Sequence, residues 1–131
     1  MNWHGVMPAI TTCFDANLQV DHAFMAKHCR WLIDAGCTGI VPLGSLGEGA
    51  TLLFEEKIKV LRTCVTAASG RATVVASISA LSTPEAVALA KAAASTDSAH
   101  LRECRQWPGF GGGVDFRAFD FGGGCTGESG S

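Results

Sequence analysis

Short β-branched runs alternate with helical periodicities along residues 1–94. Residues 5–11, Gly5-Val6-Met7-Pro8-Ala9-Ile10-Thr11, form an apolar run of the kind that fills a sheet buried on both faces, although Pro8 removes one ladder donor. Asp15 to Asn17 turn the chain. Asp21 stands as an N-cap, and Phe24, His28, Trp31 and Leu32 follow at i, i+4, i+7 and i+8 as the apolar stripe of a first helix, which Gly36 ends in a left-handed conformation. Residues 37–43 predict a second strand. Phe54, Ile58, Leu61, Val65 and Ala68, spaced 4, 3, 4 and 3 apart, predict a second helix that Gly70 ends. Lys57 and Lys59 fall off that stripe and are expected in solvent. Leu53 occupies the place where serine or threonine would complete a capping box with Glu56. Residues 73–79 predict a third strand. Ser82-Thr83-Pro84-Glu85 then opens a third helix with a hydroxyl cap, a proline in the first turn and a following acid, and its face runs through Ala86, Leu89, Ala90 and Ala93. Lys91 lies beside that face and is expected in solvent. Strand followed by helix, repeated in this way, is the pattern of βα units around a parallel sheet.

Beyond Ser95 the alternation stops. Nine of the 16 glycines crowd into the last 37 residues, and where a fourth strand is due the sequence turns to Trp107-Pro108-Gly109-Phe110-Gly111-Gly112-Gly113 and later Phe121-Gly122-Gly123-Gly124. Residues 1–94 therefore read as one βα-patterned part, expected to fold poorly on its own because three parallel strands leave both sheet edges unpaired, and residues 95–131 as an aberrant or disordered, glycine-rich tail. A deletion or frameshift in a longer gene accounts for both features with one event.

At 131 residues the chain is the size of one domain, and 47% hydrophobic against 17% charged residues is a globular composition. Ten basic and twelve acidic side chains give a net charge of -2, so no field recruits nucleic acid or an acidic membrane. The aromatic-glycine clusters do not alter this, because Arg102, Arg105 and Arg117 are opposed by Glu103, Asp115, Asp120 and Glu128. The six cysteines, at 13, 29, 37, 64, 104 and 125, contain no C-x-x-C pair and read as reduced, mostly buried thiols. His28 has no second ligand at i+4 and reads as a packed histidine, so no metal is expected. The start lacks a basic segment followed by an apolar one, and no run of about 18 apolar residues occurs; a soluble, cytoplasmic protein is expected.

The most informative segment joins the end of the second strand to the second helix. In Gly44-Ser45-Leu46-Gly47-Glu48-Gly49 the glycines allow backbone N–H groups to approach an anion, and the Ser45 hydroxyl adds a polar contact. The segment lacks the lysine of a G-x-x-x-x-G-K-[ST] loop and is not a G-x-S-x-G elbow with an activating His/Asp pair. A plain tight turn fits it as well as an anion site does.

With these segments in order, the sequence resembles the dihydrodipicolinate synthase and N-acetylneuraminate lyase family. The resemblance rests on residues 5–14, on Leu32-Ile33-Asp34-Ala35-Gly36-Cys37-Thr38-Gly39-Ile40, on Gly44-Ser45-Leu46-Gly47-Glu48 and on Phe54-Glu55-Glu56-Lys57, and it covers about residues 3–94. It implies an α/β fold, the first three βα units of an incomplete (β/α)8 TIM barrel. It also implies a lyase that holds pyruvate or another 2-keto acid as a Schiff base on a lysine, makes or breaks a carbon-carbon bond or removes water, and needs no metal or other cofactor. By position, Ser45 would be the catalytic hydroxyl of the proton relay, and Gly44, Ser45 and the Leu46 backbone N–H would bind the substrate carboxylate. Leu46 stands where the family commonly has a second hydroxyl. The family's Schiff-base lysine lies on the sixth strand and its relay tyrosine near the end of the fifth; a whole barrel takes about 250 residues. This chain has no tyrosine, and Lys27, Lys57, Lys59 and Lys91 all fall on predicted helices. The chain alone is therefore expected to be inactive and to lack the family's homo-oligomeric assembly. Two alternatives remain: a non-catalytic anion-binding module using residues 44–49, and a subunit completed by another chain.

Overall fold

The computed structural model describes residues 4–96 and 101–103. Its elements, in chain order, are α1 (His22–Asp34), β1 (Gly39–Ile40), α2 (Phe54–Ala68), β2 (Thr73–Ala76), α3 (Thr83–Ser95) and β3 (Leu101–Glu103). The strands form one parallel sheet in the order β1-β2-β3, with Gly39 opposite Thr73, and Val74 opposite both Ile40 and Leu101. Parallel neighbours joined by α2 and then α3 are successive βα crossovers. These are the βα units along a parallel sheet that the alternation predicts, consistent with the partial (β/α) barrel that the resemblance implies.

The expected first strand is reduced to a single parallel bridge between Ala9 and Val41. Val41 N donates to Pro8 O at 2.9 Å and Ile10 N to Val41 O at 3.1 Å, so Pro8 takes part only as an acceptor, the role its ring leaves it. The second and third strands are likewise shorter than predicted. The fold also contains a fourth strand-like segment that the tail was not expected to supply, because β3 pairs with β2 from Val74 to Ala76. Helix α3 carries the chain back across the sheet as far as Ser95, which sets up that pairing. The glycine clusters from residue 104 onward, with Cys104 and Cys125, lie outside the described residues, as does the start at residues 1–3.

Helix α1 has the predicted ends and a different buried face. Asp21 caps it by accepting from Phe24 N at 2.9 Å. At the other end Gly36 adopts φ +100°, Gly36 N donates to Ile33 O at 3.0 Å, and Cys37 N donates to Leu32 O at 3.1 Å, the paired bonds of a Schellman stop. The core side is Met25, Cys29 and Ile33, whereas Phe24 and Trp31 of the expected stripe are 50% and 63% exposed. Both sets share the 3.6-residue period, so periodicity does not choose between them; the slimmer set lets α1 approach α2. The aromatic set forms an outward ladder, with ring centroids 6.2 Å apart for Phe24–His28 and 6.0 Å for His28–Trp31.

Helix α2 packs between α1 and α3. Ile58, Leu61 and Ala68 of its predicted stripe are buried, and it ends at Ala68, two residues before Gly70, with Ser69 already left-handed at φ 47°. Lys59 is exposed as expected. Lys57 is a correction: it is 3% exposed and reaches across to α3, where its Nζ meets Glu85 Oε1 at 3.3 Å. A lysine in the first turn of one helix is buried because an acid in the first turn of the next neutralises it. Between α1 and α2, Thr63 Oγ1 donates to Lys59 O at 2.9 Å and so has only its lone pairs for His22 Nδ1 at 2.8 Å; His22 therefore donates from Nδ1.

Candidate functional site

Residues 44–51 are a continuous run of turns at the carboxyl end of β1, beside the end of the residue 6–10 segment. In parallel α/β folds this is the end at which loops gather around ligands. The loop closes on itself: Gly44 O accepts from Gly47 N at 3.0 Å and from Gly49 N at 3.3 Å, and Ser45 O accepts from Glu48 N at 3.3 Å. Among the described residues one tertiary bond ties it down, from the buried Thr12 Oγ1 to Gly47 O at 2.6 Å.

Two of the glycines serve packing rather than anion binding. A Cβ on Gly47 would sit 2.9 Å from Leu43 N and 3.0 Å from Ile10 O, and one on Gly49 would overlap the Leu43 carbonyl. Their N–H groups already donate to Gly44 O. Leu43, buried in the bend that follows β1, takes φ 64°, a conformation a branched side chain seldom adopts, and the surrounding turn holds it there.

The tip is chemically different. Among the described residues, neither the Ser45 hydroxyl nor the Ser45 and Leu46 backbone N–H groups have a protein partner, and both residues are exposed. Consecutive N–H groups with an adjacent hydroxyl are a donor set suited to a carboxylate. The sequence-predicted Gly44, Ser45 and Leu46 thus lie together at the tip. Thr12, which anchors the loop from another segment, carried no signal by itself; its only sequence trace was its place in the Thr11-Thr12-Cys13 stretch next to the first strand.

The lysines lie elsewhere. Lys27 belongs to α1, Lys57 and Lys59 to α2, and Lys91 to α3. The buried one, Lys57, is engaged with Glu85. Among the described residues no group of three or more His, Cys, Asp or Glu side chains is placed to hold a metal ion.

The profile of the dihydrodipicolinate synthetase family matches residues 2–99. The chain belongs to this family. It is 40% identical over 90 residues to the 4-hydroxy-tetrahydrodipicolinate synthase of Anaplasma marginale (strain St. Maries), covering 69% of this chain and 30% of that protein. Among solved structures it is similar to YagE, a prophage protein of the dihydrodipicolinic acid synthase family from E. coli K12 in complex with pyruvate. There the TM-score is 0.68 at 29% identity, over 72% of this chain and 32% of that one. It is also similar to N-acetylneuraminate lyase from Mycoplasma synoviae, with TM-score 0.67 and 30% identity over 74% of this chain and 34% of that one. The chain therefore spans about a third of the length of these dihydrodipicolinate synthetase relatives. No helix among the described residues is long and apolar enough to cross a membrane.

Proposed function

We propose that this chain carries the carboxylate-holding and proton-relay corner of a 2-keto-acid lyase, and that by itself it does not catalyse. The supporting observation is the tip of the 44–51 loop, where the Ser45 hydroxyl and the Ser45 and Leu46 N–H groups stand without protein partners at the carboxyl end of parallel strands. A 2-keto acid such as pyruvate, the ligand named for YagE, presents a carboxylate next to the reacting carbonyl. Donors that fix the carboxylate also fix the carbonyl, and a hydroxyl beside it is within reach of protons moving at the imine. Imine formation needs an amine at the same end of the sheet. The lysines of this chain are on its helices and it contains no tyrosine, so it holds the substrate corner without the nucleophile or the rest of the relay. The work of the family, condensation, cleavage or dehydration through a Schiff base, belongs in this reading to a complete cytoplasmic barrel.

Loop packing favours this reading over a free-standing anion module, since Gly47 and Gly49 have spent their N–H groups inside the turn. Borohydride reduction in the presence of pyruvate is expected to leave the 131-residue chain unmodified by mass spectrometry, and a reduced adduct on any lysine would overturn the inactive reading. In a barrel completed with the remaining strands, Ser45→Ala is expected to lower kcat by roughly 10²-fold while imine trapping persists. If KM rises and kcat is unchanged, Ser45 only binds. Leu46→Ala keeps its N–H and is expected mainly to shift substrate preference.

A further inference from the structure

Cys29 on α1 and Cys64 on α2 face each other in the core with their Sγ atoms 3.7 Å apart, and both are fully buried. Neither takes part in the site described above. We propose that Cys29 and Cys64 form a peroxide-oxidisable dithiol whose disulfide staples α1 to α2.

The sulfurs already share a hydrogen bond and must close from 3.7 Å to about 2.0 Å to bond. The two thiols are not equivalent. The contact with the Cys64 side chain lowers the pKa of Cys29 against the opposing effect of burial, with Arg30 adding to the lowering, whereas the same contact and burial raise that of Cys64. Once Cys29 loses its proton, the remaining S–H is that of Cys64, and it donates to the thiolate. The Cys29 sulfur then attacks one oxygen of hydrogen peroxide, the O–O bond breaks, and Cys29 becomes a sulfenic acid while hydroxide takes up a proton as water. The Cys64 sulfur gives up its proton and attacks the Cys29 sulfur, the S–O bond breaks, and the second oxygen leaves as water. Two thiols and one peroxide yield one disulfide and two waters, with two electrons passing from sulfur to oxygen. Burial slows the entry of peroxide, which requires local opening of the helix pair. It also keeps a second peroxide away, so Cys64 intercepts the sulfenic acid.

The residues between the two cysteines include β1 and the whole 44–51 loop, so the bond would close a ring around that segment. Cys13 is the competitor, because it lies close enough to Cys29 to interact electrostatically with it. Cys37, eight positions along the chain from Cys29, is the partner that a disordered chain would favour on loop-closure grounds.

The test is to treat the 131-residue chain, dilute and without denaturant, with a few equivalents of hydrogen peroxide, cap the remaining thiols with N-ethylmaleimide and map the tryptic peptides by mass spectrometry. A parallel sample is oxidised in concentrated urea. The linked pair His28-Cys29-Arg30 and the peptide beginning Thr63-Cys64 is expected to be at least tenfold more abundant without urea, and to persist in Cys13→Ser. Equal yield with and without urea would overturn the proposal, because pairing would then owe nothing to the fold. So would loss of the link in Cys13→Ser, which would make Cys13 the obligatory partner of Cys29.

Discussion

At Gly36 the space for a side chain and the backbone conformation make opposite statements, and the backbone decides. An added Cβ would meet nothing within 4 Å, yet φ is +100°. Gly36→Ala is therefore expected to cost about 1–2 kcal/mol through backbone strain alone, seen as a lower urea midpoint with an unchanged slope. Leu53 gives the reverse case. It is 71% exposed, and its N–H donates to the Glu56 carboxylate at 2.8 Å, which is half of a capping box. Since so exposed a side chain has little apolar packing to lose, Leu53→Thr is expected to add the other half and raise stability by about 1 kcal/mol. An unchanged melting temperature would show that the Glu56 contact already satisfies the helix start. These ends were legible in the sequence because caps depend on neighbours a few residues away: Asp21 and Ser82 both cap as expected, the latter accepting from Glu85 N at 3.4 Å.

Between elements, legibility falls. The α1 stripe drawn through Phe24, His28 and Trp31 has the correct period and the wrong phase, since the choice between it and Met25, Cys29 and Ile33 is made by how closely α2 approaches. Lys57 illustrates the same limit. Its partner Glu85 is 28 positions away in sequence, on a different helix. The lysine side chain is 4% exposed and the glutamate 42%, so water screens the pair only in part. Glu85→Gln is expected to cost about 1–2 kcal/mol, below the 3–5 kcal/mol typical of a fully buried pair, by leaving Lys57 charged without its counterion. In a Lys57→Met background the same change is expected to be nearly neutral. A double-mutant cycle measured by chemical denaturation checks this, and additive losses would show that the two residues do not interact.

For the whole molecule, the parallel strands and the surface they leave open govern behaviour. Among the described residues β3 has a hydrogen-bonded neighbour on one side only, and Val6, Phe24, Trp31 and Leu46 are half or more exposed. An open parallel edge with apolar surface invites pairing between copies. Sedimentation velocity is expected to show self-association that grows with concentration across the micromolar range. A chain that stays monomeric throughout and melts in a single sharp transition would contradict this, and would mean that the sheet edges are better covered than the described residues indicate.

The βα alternation, the helix termini and the glycine-rich turn after the second strand were set by the sequence by itself, because each depends on residue type and local spacing. The place of Ser45 and Leu46 at the tip of that turn followed with them. Tertiary structure decided the rest. It chose which helix faces are buried, and it reduced the Pro8 strand to a bridge while adding β3 beside β2. It also assigned Gly47 and Gly49 to close packing on Leu43, tied the loop to Thr12, and brought Cys29 to Cys64. These features share one physical cause. Each is a contact between residues distant in sequence, whose energy depends on how two elements dock, and hydrophobic period and propensity do not specify docking.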